Sequence, residues 1–166
     1  MQMNVQEATQ AIKKGEVVAF PTETVYGLGG SIFNEQALGK IFSTKERPFF
    51  DPLIVHISSM DQVTQLAKNW SPLERLLAER FWPGPLTFVT PKTSQVSDLI
   101  TSGLPTVGLR MPNHPLALEL LQQTGPLAAP SANKFGRTSP TTARHVENEF
   151  SGQIGVLDGG SCEGGI

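Results

Sequence analysis

The sequence is poor in cysteine and histidine and has no long apolar run. Cys162 is the single cysteine, which excludes an internal disulfide bond and, with only three histidines, argues against a structural zinc site. No stretch approaches the ~20 apolar residues that cross a bilayer, and the amino terminus lacks the basic-then-apolar pattern of a secretory signal. We therefore expect a cytoplasmic protein with no membrane partner.

An excess of charge of either sign is also missing. The formal net charge is −2 over 166 residues, which argues against a protein whose main role is to coat nucleic acid but leaves a local basic patch open. Hydrophobic residues make up 39% and charged residues 17%, as in a folded rather than a disordered chain. The length predicts one domain with its own core.

Several familiar catalytic and nucleotide-binding motifs are absent. The segment GLGGSIF places Ile32 where a dinucleotide-binding loop needs its third glycine, and the Gly-Lys pair at 39–40 lacks the rest of a Walker loop. Around Ser161 the run GGSCE lacks the final glycine of a hydrolase nucleophile turn. No base is marked near Cys162, so we expect that thiol to be structural or incidental.

Helix signals recur along the chain. Asn4 is the predicted cap of one amphipathic helix, and a second helical pattern runs from Asn34. Ser71 with Pro72 and Glu74 forms a capping-box start for SPLERLLAERF. HPLALELLQQ predicts a further helix. SPTTARHVENEF predicts another, with Ser139 as its cap.

Short apolar runs between these helices predict strands. They are EVVAFP, PLIVHI, PLTFVT, TVGLRM, GPLAAP and IGVLD, whereas TETVYGLGG is interpreted as a loop. Strands that alternate with helices favour parallel pairing, but WPGPLTFVTP and the stretch after it favour some antiparallel pairing. The predicted fold is therefore α/β, a single-domain twisted mixed parallel/antiparallel sheet with flanking helices.

Three polar stretches lie beside predicted strand ends, where α/β proteins build sites. They are PTETVYGLGG, KERPFFDPLIVHI and SANKFGRTSP. The third offers hydroxyls, backbone amides and a helix amino terminus at Ser139, a set suited to an anion. Five cations could join it in one anion-binding cleft: Lys45, Arg47, Arg110, Lys134 and Arg137. Neither a nucleophile nor a general base is evident among these residues. The residues themselves therefore predict a polar pocket suited to phosphate, without a specific reaction.

Those stretches, with FWPGPLT, VGLRMPNHP and LDGG, resemble the signature of the YrdC-like family of threonylcarbamoyl-AMP synthases over essentially the whole chain. The resemblance implies a fold similar to dihydroxybutanone-phosphate synthase. It also implies one YrdC-like domain over residues 1–166, shortened at its carboxyl end relative to the family. Asp51 stands where the family usually has asparagine, so a carboxylate replaces an amide there.

The resemblance implies a nucleotidyltransferase that joins L-threonine, bicarbonate and ATP, with Mg²⁺ on the ATP and no protein metal site. By matching motif positions, Lys45 and Arg47 are expected to act in catalysis. The expected threonine ligands are Thr24, His56 and Arg110. The expected ATP ligands are Lys45, Arg47, Asp51, Thr106, Ser131, Asn133 and Ser139.

The implied product feeds threonylcarbamoyl adenosine modification of tRNA by a separate threonylcarbamoyl transferase machinery. A second hypothesis is an RNA-binding YrdC-like domain without synthase activity, with transfer RNA or double-stranded RNA as partner; five cations favour it, and the negative net charge opposes it. A third is a carbamoyl-transfer domain like that of hydrogenase maturation proteins, whose zinc-finger motifs are absent from this sequence.

Overall fold

A computed structural model describes residues 1–165, in which strands and helices alternate. The strands are β1 Gln2–Met3, β2 Val18–Pro21, β3 Tyr26–Ser31, β4 Ile54–His56, β5 Phe88–Pro91, β6 Thr106–Arg110, β7 Leu127–Ala128 and β8 Gly155–Leu157. The helices are α1 Val5–Lys13, α2 Glu35–Lys45, α3 Met60–Leu66, α4 Pro72–Phe81, α5 Asp98–Thr101, α6 Pro115–Thr124 and α7 Ala143–Phe150.

The strands form one sheet in the order β1-β8-β2-β3-β7-β4-β6-β5. β2 and β3 pair antiparallel, as do β5 and β6, whereas β4 and β6 pair parallel. Helices flank this mixed sheet, so the predicted fold class is confirmed. Among the described residues no helix is long and apolar enough to cross a membrane.

In β2, β7 and β8, alternate side chains enter two different cores. In β2, Val18 and Phe20 pack with α1 and α6, whereas Ala19 packs on the opposite face. In β6, Leu109 belongs to that second core, which also includes side chains of α2, α3, α4 and α7. Because side chains alternate along a strand, Arg110 must leave the second core and point to the α1/α6 side of the sheet.

The structure confirms most of the predicted elements and adds β1, β3, α3 and α5. α1 is capped by Asn4, α2 by Asn34 and α4 by Ser71 with the expected capping box. The predicted strands all appear, some of them shorter than the apolar run. β1, α3 and α5 were not predicted, because each is only two to seven residues long and carries too few periodic positions.

The interpretation of TETVYGLGG as a loop is wrong from Tyr26 onward, because β3 occupies that part of the segment. Its glycines reflect close packing rather than a turn. A Cβ on Gly29 would stand 2.8 Å from the Phe20 ring and 3.2 Å from Leu127. The strand therefore has no room for a side chain at this position. Its glycine-rich sequence resembles that of a loop, although its backbone is paired in the sheet.

The predicted start of α7 at Ser139 is also wrong. Thr142 is the cap, and its hydroxyl accepts from the backbone N–H of His145 at 3.1 Å. The Pro140 carbonyl instead accepts from the N–H of Tyr26 at 2.9 Å, which holds the segment against β3. The helix amino terminus therefore lies three residues after Ser139, where the polar loop was predicted to place it.

Candidate functional site

Two predicted threonine ligands are neighbours in the sheet. His56 ends β4, Arg110 ends β6, and the two are Cα partners in the parallel ladder. Both follow residues of the second core, so both side chains turn to the other face. We call this pair the strand wall, because strand register alone brings the two side chains together.

Arg110 makes contacts on two of its three guanidinium nitrogens. Its Nε donates to the Gly84 carbonyl at 3.2 Å, and its Nη2 donates to a carboxylate oxygen of Glu23 and to the Thr24 hydroxyl, the latter at 3.4 Å. Burial lowers the pKa of Arg110, and the Glu23 carboxylate opposes that shift. The partner expected for a charge at the end of a buried strand is therefore Glu23.

The Thr24 hydroxyl is oriented by its neighbours. Thr22 Oγ1 donates to the Val25 carbonyl at 2.6 Å, and it lies 3.0 Å from Thr24 Oγ1. Because Thr22 has one hydroxyl proton, Thr24 must be the donor between the two hydroxyls. Thr24 also accepts from Arg110, so its remaining capacity toward a ligand is that of an acceptor.

His56 is a neutral imidazole at ordinary pH. Burial and the Arg110 charge lower its pKa to about 3, and its side chain is buried against the edge of the Phe20 ring, with centroids 5.9 Å apart. Its Nδ1 is buried and has no hydrogen-bond partner among the described residues. The strand wall thus offers one charge, on Arg110, beside a neutral ring.

A cavity of about 370 Å³ opens in front of the strand wall. We call it the Arg110 cavity. It brings together five of the predicted ligands: Thr24, Arg47, His56, Arg110 and Ser131. Side chains from the WPGPLT segment and from β7's end complete it, including Pro85, Thr87 and Ala129.

Lys45 lies beneath the polar loop rather than in the Arg110 cavity. Its side chain is 1% exposed, and Nζ donates to the carbonyls of Ser131, at 2.6 Å, and Asn133. The Lys45 carbonyl in turn accepts from the Phe135 N–H at 2.7 Å. Burial, together with the charge of Arg47, lowers the pKa of Lys45 to about 8.

Arg47 lines the cavity and is held at its far side. Its Nη2 donates to Asp51 at 3.1 Å and to the Pro52 carbonyl at 2.9 Å, while its buried Nε has no partner within residues 1–165. Burial lowers the pKa of Arg47, and Asp51 opposes the shift. Asp51 therefore sits where it orients Arg47, and it is outside the lining of the cavity.

Residues 131–139, which we call the loop wall, carry the other predicted ATP ligands. Asn133 closes the loop, because its Nδ2 donates to the carbonyls of Lys134 and Arg137, both at 2.8 Å. Its Oδ1 is buried and has no partner in the described chain. Asn133 and Ser139 line a separate groove of about 470 Å³, whereas Ser131 lines the Arg110 cavity.

Thr106 stands apart from these residues. It begins β6, opposite Pro91 of β5, and lines neither the Arg110 cavity nor the groove. Arg110 is four steps further along the strand, a distance of roughly 13 Å at the usual rise per residue. A ligand that reaches both must extend along most of β6.

The hypothesis of one cleft made by five cations is wrong. Only Arg47 and Arg110 line the Arg110 cavity, and Lys45 is buried. Lys134 pairs with Glu46 at 3.5 Å, and Arg137 pairs with Glu149 at 3.0 Å, both with partly exposed side chains. Sequence reasoning counted the cations without the acids that face them, which neutralise much of the basic patch.

The Arg110 cavity can bind, but its lining offers little acid–base chemistry. It presents cations, a hydroxyl acceptor and a neutral imidazole, a set suited to a small zwitterion or to an anion. No three His, Cys, Asp or Glu side chains of residues 1–165 are grouped so as to hold a metal ion. Burial raises the pKa of the Cys162 thiol, which disfavours the thiolate a nucleophile needs.

Sequence reasoning missed three contributors to the site: Thr22, Glu23 and the carbonyl of Gly84. The signal for the first two was present in the segment PTET, which places two hydroxyls around an acid. Gly84 acts through its backbone, so no side-chain pattern reveals it. Only the fold brings it within 3.2 Å of Arg110.

Comparison with known proteins gives a consistent family. The Sua5/YciO/YrdC family model, described as telomere recombination, matches residues 10–166. A threonylcarbamoyl-AMP synthase of Pyrococcus abyssi is 50% identical over 157 residues, which is 93% of this chain and 46% of that protein. The corresponding Bacillus subtilis protein is 47% identical over 165 residues, 98% of this chain and 48% of that one.

A solved structure also matches closely. The crystal structure of P. abyssi Sua5 complexed with L-threonine superposes with a TM-score of 0.94 at 46% identity, over 97% of this chain and 51% of that one. This chain therefore spans about half the length of these relatives.

Proposed function

The chain belongs to the Sua5/YciO/YrdC family, and on that premise we propose that it makes L-threonylcarbamoyl-adenylate from L-threonine, bicarbonate and ATP. One observation carries the proposal: the Arg110 cavity sets a cationic donor beside a hydroxyl acceptor in a chain with close relatives of that name. The L-threonine complex of the P. abyssi relative supports the same substrate.

The cavity suits an amino acid in one orientation. In the proposal, the carboxylate of threonine meets Arg110, and Thr24 accepts a hydrogen bond from the amine or the hydroxyl of the substrate. His56 is neutral and so adds no competing positive charge beside the amine. The two substrate charges thus have distinct places on the strand wall.

The reaction needs little proton transfer from the protein. The free amine of threonine attacks the carbon of bicarbonate, water leaves, and a carbamate forms. A carbamate oxygen then attacks the α-phosphorus of ATP, and the bond to the pyrophosphate leaving group breaks. The chain's contribution is to hold the reactants in line and to neutralise charge, which agrees with a cavity that lacks a nucleophile and a strong base.

ATP in this proposal occupies the side of the cavity formed by Arg47 and Ser131. Arg47 and Ser131 both line the cavity, and a guanidinium and a hydroxyl are groups that bind phosphate oxygens. Asn133, Ser139, Asp51 and Thr106 remain proposed ATP ligands further out. The role of Lys45 is then to hold the loop that carries Ser131.

Mg²⁺ would come with ATP. Near the cavity, Glu23 and Asp51 are the acids, and each is paired with an arginine, so triphosphate oxygens would be the main ligands of the ion. When bound, Mg²⁺ supplies charge neutralisation at the phosphates. We further propose that the product passes to a transferase that modifies tRNA, a use that fits the cytoplasm.

Pyrophosphate release tests the function. The wild-type protein should release pyrophosphate from ATP only with both L-threonine and bicarbonate present, and L-serine in place of threonine should give less. Mass spectrometry should identify the adenylate. A folded protein that binds threonine and ATP but forms no adenylate would contradict the proposal, and salt-sensitive RNA binding in its place would favour the RNA-binding hypothesis.

Two variants assign the ATP side. Arg47→Ala and Ser131→Ala should abolish release and leave the fold intact, whereas Arg75→Ala, an exposed arginine on α4, should behave like the wild type. Retained activity in either of the first two would argue against this placement of ATP.

A further inference from the structure

We propose that Glu23 is a positioning residue that sets the orientation of Arg110 for the carboxylate of the substrate, an inference that rests on the proposed function. Glu23 lies in the loop between β2 and β3, 87 residues before Arg110 in the sequence. Glu23 holds the arginine and does not itself touch substrate.

The Glu23 carboxylate uses its two oxygens for different partners. Oε1 accepts from Nη2 of Arg110, and Oε2 accepts from the backbone N–H of Asn113 at 2.9 Å. The first contact fixes a side chain, and the second fixes the backbone three residues after β6 ends. One carboxylate therefore joins the loop that carries Thr24 to the end of the strand that carries Arg110.

These contacts leave the arginine one free nitrogen. Nε is held by Gly84 and Nη2 by Glu23 and Thr24, whereas Nη1 has no protein partner within residues 1–165. Because the guanidinium is planar, holding two nitrogens fixes the direction of the third. The substrate carboxylate is thus expected to meet Arg110 through Nη1 alone rather than through a two-nitrogen fork.

Burial explains why a carboxylate serves this position. The side chains of Arg110 and Glu23 are 11% and 23% exposed, so an unpaired guanidinium would lack much of its hydration. Glu23 compensates the charge of the arginine and holds it in place while the cavity is empty. The pair is neutral overall, so affinity for the substrate depends on the direction of Nη1 more than on net charge.

Positioning and simple structural support predict different results. If Glu23 only stabilises the fold, its loss should weaken the binding of threonine and of ATP together, or of neither. If it positions Arg110, its loss should weaken threonine binding selectively. Glutamine at this site retains an oxygen that can accept from Arg110, but its NH₂ group cannot accept from Asn113, so it should act between glutamate and alanine.

Calorimetric titration of the whole chain with L-threonine and, separately, with a non-hydrolysable ATP analogue tests this. Glu23→Ala should weaken threonine binding by tenfold or more and leave the ATP analogue within about twofold of wild type, and Glu23→Gln should fall between. Glu79→Ala, an exposed acid on α4, is the matched control and should change neither affinity.

The outcomes separate this inference from the proposed function. Unchanged or tighter threonine binding in Glu23→Ala overturns the positioning role alone, and so does an equal loss for both ligands. A folded wild type that binds no threonine overturns the proposed function together with this inference. A wild type that binds threonine but makes no adenylate contradicts the function and leaves the binding test of Glu23 valid.

Discussion

The strand wall and the loop wall hold polar groups in opposite ways. On the strand wall, Arg110 and His56 project from adjacent paired strands, so their separation is set by backbone hydrogen bonds of the sheet. On the loop wall, the carbonyls of Ser131 and Asn133 bind the buried Lys45 ammonium, and Ser131 is bridged to Gly27 of β3. The first wall is thus positioned by strand register, whereas the second depends largely on a side chain beneath it and on contacts within the loop.

The cations near the two walls also differ, because Arg110 is buried whereas Lys134 and Arg137 are exposed. A buried cation that faces a cavity needs an acidic partner to compensate its lost hydration. Glu23 is that partner for Arg110. Exposed cations such as Lys134 and Arg137 find acids on the surface and contribute little. Cations near a motif are therefore informative only when burial and orientation are known.

Removal of the charge from the strand wall should have the largest effect. Arg110→Ala should weaken L-threonine binding by about 100-fold, because a charge-assisted contact is lost and Glu23 is left without its partner. Binding is measured by calorimetry, with the ATP analogue as the reference ligand. A threonine affinity near that of the wild type would show that Arg110 of the strand wall does not bind the substrate.

Removal of the Lys45 ammonium beneath the loop wall should have the second largest effect. Lys45→Met keeps most of the unbranched side chain but leaves the carbonyls of Ser131 and Asn133 without a donor. We expect the turnover of pyrophosphate release to fall by about thirtyfold, the scale of a small displacement of binding groups. The KM for threonine should change less than the KM for ATP, and a selective loss of threonine binding would contradict the division into two walls.

The neutral state of His56 predicts an acid-sensitive strand wall. Its pKa is about 3 in the folded protein and about 6.5 in an unfolded chain, so the unfolded chain binds the extra proton as pH falls below 6.5. The free energy of unfolding should drop by about 2 kcal/mol from pH 7 to pH 5 through this group. Urea unfolding of His56→Gln should lack this part of the drop.

The lowered pKa of Lys45 predicts that the free energy of unfolding depends on pH in the alkaline range. Its pKa is about 8 when folded and 10.5 when exposed, so between these values the unfolded chain binds more protons and stability should rise with pH. The rise should be about 1 kcal/mol between pH 7 and pH 9, and it should be absent from Lys45→Met. An equal rise in that variant would place its origin elsewhere.

The surface cations of the loop wall should matter least. Lys134→Ala should change the free energy of unfolding by less than about 0.5 kcal/mol, because its ion pair with Glu46 is largely exposed. Added salt should reduce even that difference. A loss of activity comparable to that of Lys45→Met would show that Lys134 contacts a ligand.

Local pattern accounts for most of the fold and for part of the site. Capping residues and alternation predicted most helices and all but two strands, and the same alternation explains why His56 and Arg110 share a face. β3 was not predicted because close packing against Phe20 requires glycine, and a glycine-rich segment resembles a loop in sequence. Ser139 was misplaced as a cap because Pro140 bonds to β3, a contact between distant residues.

The part of the site that the sequence did not predict also depends on contacts between distant residues. Glu23, Gly84 and the buried position of Lys45 depend on which segments the fold places together. A sequence pattern gives residue types and spacing, but it does not show that Glu23 reaches across to Arg110 or that Lys45 points inward. Those contacts are between residues more than 20 positions apart.

A crystal structure of this chain with L-threonine tests the central claim most directly. The account predicts threonine in the Arg110 cavity, with its carboxylate within hydrogen-bond distance of Arg110 Nη1 and with Thr24 Oγ1 accepting from its amine or hydroxyl. Threonine bound with its carboxylate away from Arg110, or bound only outside this cavity, would contradict the account.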